Sequence, residues 1–336
     1  MIVAMGVATA VLILIALWGV LALWYQVPGG MAGKAAAIAL WALLGAAALL
    51  MLWSHRPVLG LVGFALAFAA LLLWWEHIEP SNDRIWADDV AQMTYGEVIG
   101  NRVVLHNVRN FDWRTKTDYT RRWETRTYDL GRLASVDLVT SYWTGPSIAH
   151  VLVSFGFDDG QHVVFSVEVH RRKNEGFSEI GGFFKAFELS VIAADERDVI
   201  RVRTNVRGED DYLYRIRMPL AAMRALFLAY VGEADRLVMR PQFYNTLTAN
   251  CTTIVYHMMR HIVGHLPLDY RLVLSGYLPA YAYQVGGLDS RYSLEELHTL
   301  GRITDRAKAA DRSEHFSADI RAGIPALPAV PATPHD

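Results

Sequence analysis

The chain holds a single cysteine, Cys251, in 336 residues. An intramolecular disulfide is therefore excluded, and so is a cysteine-built metal cluster. Before Glu76 there is no aspartate or glutamate, and the only Lys or Arg are Lys34 and Arg56. A water-exposed globular surface over the first 75 residues is excluded by that lack, because soluble surfaces carry both signs of charge. Residues 76–336 hold 30 Lys and Arg against 34 Asp and Glu. With no clustered basic face, nucleic acid is excluded as the partner. No internal repeat is present, so a solenoid is excluded as well.

The first 75 residues contain three apolar runs, 2–25, 35–53 and 57–75. A bilayer core requires roughly 20 apolar residues per helix, which each run supplies. The first run lacks the charged start of a cleaved signal peptide and is longer than its apolar core. Trp18, Trp24, Tyr25, Trp53, Trp74 and Trp75 stand near the run ends, where interfacial aromatics belong. The short connections, Gln26–Lys34 and Ser54–Arg56, force an up-down-up bundle. Lys34 and Arg56 fall in successive loops, so the positive-inside rule is nearly balanced. The expected arrangement has the N-terminus in the cytoplasm and the globular part outside it. The expected organisation is a three-helix transmembrane anchor over 1–76, an α+β catalytic domain over 77–304, and a Pro-rich tail over 305–336, extended or disordered.

Within the domain, Glu97–Leu105 and the polar, aromatic stretch Asp112–Tyr128 read as short strands, Asp198–Thr204 as a further strand, and Met218–Val231 as a helix. The clearest element is a hairpin. In Ala149–Phe157 the residues Val151, Val153, Phe155 and Phe157 make one face, with His150, Leu152, Ser154 and Gly156 on the other. His162–Val169 alternates in the same way, which predicts two half-buried strands. Asp158-Asp159-Gly160 suits a three-residue turn with Gly left-handed. Pairing 157 with 161 makes the apolar faces coincide and sets His150 across from Glu168; a one-residue slip would put polar against apolar along the ladder.

Cys251 follows Asn250, one of the best helix N-caps, and precedes Ile254, Val255, Met258 and Ile262 on one helical face. A cysteine at a helix start is stabilised as thiolate by backbone N–H groups and the helix dipole. The bland alternative is a small buried hydrophobe. The chemistry that fits the pattern is acyl transfer: His150 takes the thiol proton, Glu168 orients the imidazole, and the thiolate attacks an acyl carbon to give a thioester. Tyr244, Asn245 and Asn250 are candidate substrate-side polar donors, and free N–H groups at the helix start are candidate oxyanion donors. His257, His261 and His265 recur every four residues, but no carboxylate or cysteine at suitable spacing completes a metal set. Neither a metal nor another cofactor is expected.

Several motifs stand in order: Asn107-Val108-Arg109-Asn110-Phe111, Tyr128-Asp129-Leu130, Ile148-Ala149-His150 running into Ser154-Phe155-Gly156-Phe157, Ser166-Val167-Glu168, Asp195-Glu196-Arg197-Asp198, and Tyr244-Asn245-Thr246 leading to Asn250-Cys251-Thr252-Thr253. Together they resemble the family of the Lnb N-terminal periplasmic domain, over roughly residues 82–265. The resemblance implies a domain similar to the permuted papain-like thiol enzymes of the NlpC/P60 and lecithin:retinol acyltransferase groups, in which the His strand precedes the Cys helix. It also implies a bacterial inner-membrane protein with a periplasmic domain, acting on lipid or lipoprotein acyl groups as the Lnb-type lipoprotein acyltransferases do. Cys251 and His150 carry over onto the family's pair. The third member is Glu168, with His162 in reserve. Three helices in front and a short tail behind depart from the longer membrane architecture of Lnb. Two alternatives therefore stand beside acyl transfer. One is a thiol hydrolase, acting as a peptidoglycan amidase or peptidase or as a lipid esterase; the other is a non-enzymatic periplasmic assembly module.

Overall fold

A computed structural model describes residues 2–327, which divide into two compact units. The first contains the chain up to Ser81, with Phe177–Glu188 and Phe243–Thr246. Its helices α1 (Ile2–Gln26), α2 (Met31–Leu52) and α3 (Pro57–Glu76) are each long and apolar enough to cross a membrane. Leu12, Trp41, Leu52, Phe64 and Leu71 fill the seam between them. Trp41 donates its Nε1–H to the Ala16 carbonyl at 2.9 Å. A Cβ on Gly19 would stand 2.3 Å from the Trp41 ring, so glycine permits this close crossing. Phe184 packs with Trp75 and Ala22 in the same unit and stacks on Tyr25, ring centroids 5.8 Å apart.

The second unit is a mixed α+β domain. Its strands are β1 (Tyr95–Ile99), β2 (Arg102–Arg109), β3 (Asp112–Trp113), β4 (Tyr119–Thr120), β5 (Trp123–Asp129), β6 (Leu133–Tyr142), β7 (His150–Phe157), β8 (His162–His170), β9 (Glu188–Ala194) and β10 (Asp210–Arg215). The helices are α4 (Glu196–Arg201), α5 (Leu220–Met239), α6 (Thr253–Val263), α7 (Leu278–Gln284), α8 (Leu294–Gly301), α9 (Thr304–Ala309) and α10 (Phe316–Asp319). The main sheet runs β1-β2-β9-β8-β7-β6-β10, with β5 also on β2, while β3 and β4 form a separate ribbon.

The β7–β8 hairpin has the register that the alternation requires: Leu152 faces Ser166, Phe155 faces Val163 and Gly156 faces His162. Gly160 takes φ 85°, the left-handed turn position. The expectation of half-buried strands is corrected, because both faces are buried. On one face Phe155 and Phe165 meet Phe227 and Tyr230 of α5, with Phe165 and Tyr230 stacked at 4.9 Å. On the other, Leu152 and Val164 join Val199 and Ile200 of α4 and Ile303, Phe316 and Ile320. Helices on both sides leave no solvent face for polar alternation to serve.

Asp198–Thr204 is not a strand. It is helical, as α4 followed by a π-helical turn, Val202–Arg207. Asp195 caps α4 by accepting the Arg197 N–H at 2.9 Å. The β-branched Val199, Ile200 and Val202 misled the periodicity, since a short apolar run does not separate strand from buried helix. Residues 305–320, grouped above with the tail, hold most of α9 and all of α10, joined by turns, and they contribute Ala307, Phe316 and Ile320 to the core. The remainder of the tail beyond Leu327 lies outside the described residues.

Candidate active site

His150 opens β7, and Ser166 and Glu168 lie on β8. The hairpin register brings the three together. The His150 Nε2–H donates to Ser166 Oγ at 2.7 Å, and Ser166 Oγ donates on to Glu168 Oε1 at 2.7 Å. Glu168 Oε1 also lies 3.2 Å from His150 Nε2. The carboxylate thus grips the ring directly and through a hydroxyl. With Nε2 occupied, Nδ1 is the ring nitrogen left for the thiol.

Cys251 supplies that thiol. It is half-buried, with Sγ 4.0 Å from Thr252 Oγ1 and close enough to His150 and the Val151 N–H for both to act on its titration. Burial pushes the thiol up, but the bond and charge of His150, the Val151 N–H and the Thr252 hydroxyl together bring it below its ordinary value. Burial and Arg203 likewise pull His150 down, yet Glu168 and Cys251 outweigh them and raise it to about 9. Burial would lift Glu168, but the charges of His150 and Arg203 and the Ser166 bond hold it well below the usual carboxylate range. Both shifts run towards a thiolate–imidazolium pair, the thiol lowered and the imidazole raised.

The sequence reading assigned no role to Ser166 and passed over a second layer of polar residues. Arg203, on the π-helical turn, reaches Glu168 Oε1 at 3.4 Å and Glu209 Oε2 at 3.1 Å. Ser141 lies directly across from His150 in the β6–β7 ladder, and Asp211 across from Ser141 in the β6–β10 ladder. Ser141 Oγ stands 2.5 Å from both Glu209 Oε2 and Asp211 Oδ1. Burial first, with the charges of Glu209 and Asp210, pushes Asp211 up to about 7 against its bond to Ser141 and the charge of Arg203. A row of polar side chains therefore crosses adjacent strands inside an apolar core. Isolated Ser and Asp residues in strands carry no sequence signature of such a row. The π-helical turn, a feature frequent at functional sites, is invisible to periodicity.

Asn250 is not the N-cap of α6, which is Thr252; instead its Oδ1 accepts the N–H groups of Thr252 and Thr253, both at 2.9 Å, in the turn ahead of the helix. Two consequences correct the sequence reading. Helix α6 begins at Thr253, so Cys251 sits in that turn and not inside the first helical turn. The Thr252 and Thr253 N–H groups are also occupied by the Asn250 side chain, so neither stands ready as an oxyanion donor. Tyr244 and Asn245 belong to the first unit, where the Tyr244 N–H donates to the Phe187 carbonyl at 3.0 Å and its ring lies edge-on to Phe177. His162 is at the turn end of the hairpin, across from Gly156, with Nδ1 3.1 Å from the Gly160 carbonyl, and is not part of the constellation.

An apolar cavity of about 130 Å³ is lined by Thr252, the residue after Cys251. Leu138, Val153, Val255, Met259, Leu266 and Leu272 are among the side chains that line it.

Residues 119–276 match the family model described as the Lnb N-terminal periplasmic domain, which bears out the resemblance drawn from the motifs. No curated protein and no solved structure matches the chain.

Proposed function

We propose that this chain, which carries a domain of the Lnb N-terminal periplasmic family over residues 119–276, is a membrane-anchored cysteine acyltransferase. Its substrate is a lipid or lipoprotein acyl ester. The observation that carries the reading is the linked set Cys251, His150, Ser166 and Glu168, with the thiol lowered and the imidazole raised. The Cys251 sulfur attacks the ester carbon and a C–S bond forms. The C–O bond breaks, and the departing alcohol takes the imidazolium proton of His150. An amine then attacks the thioester, His150 accepts its proton, and the C–S bond breaks to give an amide. Glu168 keeps the ring oriented and its charged form stabilised throughout. The apolar cavity lined by Thr252 supports an acyl chain over a peptide as the bound group.

The His strand preceding the Cys turn and helix supports a permuted papain-like fold. The three apolar helices and the family together support a multi-pass protein of the bacterial inner membrane, with the domain in the periplasm. The test is acid-quenched intact mass of the full chain in proteoliposomes holding a phospholipid or a diacylglyceryl peptide. A hydroxylamine-labile acyl adduct on Cys251, absent from Cys251→Ala, is the expected result. No adduct with either donor overturns the proposal. An adduct that discharges only to water assigns the hydrolase reading instead.

A further inference from the structure

We infer that the loop Val263–Val273 is an interfacial element that inserts into an anionic phospholipid surface and roofs the path of an acyl chain to Cys251; the second half of this statement rests on the acyl-transfer reading above. The loop is apolar on two sides. Inward, Leu266 and Leu272 line the same cavity as Thr252, the residue after Cys251. This inner side is pinned: Tyr256 OH donates to the Leu266 carbonyl and Tyr281 OH to the Pro267 carbonyl, each at 2.9 Å. Outward, Leu268 is 78% exposed, Tyr270 66%, Val263 46% and Val273 43%. Single exposed apolar residues are ordinary, but four within one short loop form a patch that calls for an apolar phase.

Charge identifies that phase. Between Thr253 and Gly276 the sequence holds one carboxylate, Asp269. Both of its oxygens are held by Arg271, at 2.7 Å each. That leaves Arg260 as the cation of this stretch with no acidic counterpart within it. Apolar side chains flanked by basic ones are the pattern of a surface that enters the headgroup region of an anionic bilayer. The chain supplies the bilayer itself, because the domain is joined covalently to three helices long and apolar enough to span one.

The experiment uses the full chain with Cys251→Ser, so that an introduced cysteine is the only one. Nitroxide labels are placed at Leu268→Cys, Tyr270→Cys and, as a control on the hairpin tip, Asp159→Cys. Each is reconstituted into nanodiscs of phosphatidylglycerol and phosphatidylcholine, and power saturation compares access to oxygen with access to a water-soluble nickel chelate. Labels at 268 and 270 are expected to be protected from nickel severalfold relative to 159, with protection shrinking in pure phosphatidylcholine. Nickel access equal to that at 159 in both lipids overturns the inference, and protection indifferent to lipid charge overturns its anionic part. This readout needs no turnover, so it fails or succeeds independently of acyl transfer. The functional arm is Leu268→Asp with Tyr270→Ser. Acylation of Cys251 from a bilayer donor should fall about tenfold, with alkylation by iodoacetamide unchanged. Equal loss in both assays overturns the loop's role in acyl-chain entry.

Discussion

His150 acts on the Cys251 thiol by bond and charge, and the pH dependence of the thiol should show it. Replacing His150 with Ala removes the bond and charge that oppose burial, so the thiol should return to a high value. Alkylation of Cys251 at neutral pH should then slow by about 10²-fold, the lower end of what a positioned acid–base group supplies. Unchanged alkylation would mean that the two do not form the reactive pair. Glu168→Gln acts on the other edge. His150 sits at about 9 because Glu168 and Cys251 overcome burial and Arg203. Without the carboxylate, His150 falls, and the upper limb of the acylation pH profile should move to lower pH. The sign for stability is the same: a raised His contributes fully below its ordinary value of about 6.5, and the contribution is lost as pH rises through about 9. His150 and Glu168 were legible because period-2 alternation fixes register. Ser166, between them, carried no signal of its own. Arg203 was hidden because the stretch around it reads as a strand.

Among the elements, α4 shows how much a local signal can be outvoted. Its start was written in Asp195-Glu196-Arg197-Asp198, an N-cap followed by acids in the first turn, which should have opposed the strand reading. Asp198 also has a role that no pattern declares. It is fully buried, accepts Arg109 Nε at 2.8 Å, and accepts the Phe111 N–H at 2.8 Å and the Trp113 Nε1–H at 2.7 Å. Asp198→Asn strands the buried Arg109 guanidinium, so the domain should lose about 3–5 kcal/mol. The measurement is the thermal midpoint of the full chain in detergent, and a shift within error would show that the pair is dispensable. The hairpin is the opposite case, since its turn chemistry and its packing agree. Gly160 at φ 85° should tolerate Ala only at a cost of about 1–2 kcal/mol, read from the same midpoint.

For the whole molecule, hydropathy alone locates the three apolar helices, because their length and lack of charge admit few other readings. The C-terminal region was less legible. Its prolines at 325 and 328 suggested a tail, but Arg321 just before them ties this region to α4 and the sheet. Arg321 Nη2 lies 2.6 Å from Glu196 Oε1, and its Nε donates to Asp137 Oδ2 at 2.9 Å. Both carboxylates have fully buried side chains. Burial would raise Glu196, but the charge and hydrogen bonds of Arg321, with His162 and Ser154, hold it at about 2. In the wild type that depressed carboxyl contributes stability above its ordinary value, lost as pH falls towards 2. Arg321→Ala leaves Glu196 buried without its principal partner, and about 3–5 kcal/mol should be lost at neutral pH. Glu196 should then protonate more readily, so the deficit against wild type should shrink as pH is lowered towards 5. Arg321→Ala combined with Glu196→Gln removes the stranded charge and should recover a large part of the loss. If the single variant melts with the wild type, or the double variant melts below the single, the segment around Arg321 is not fastened by this charge pair.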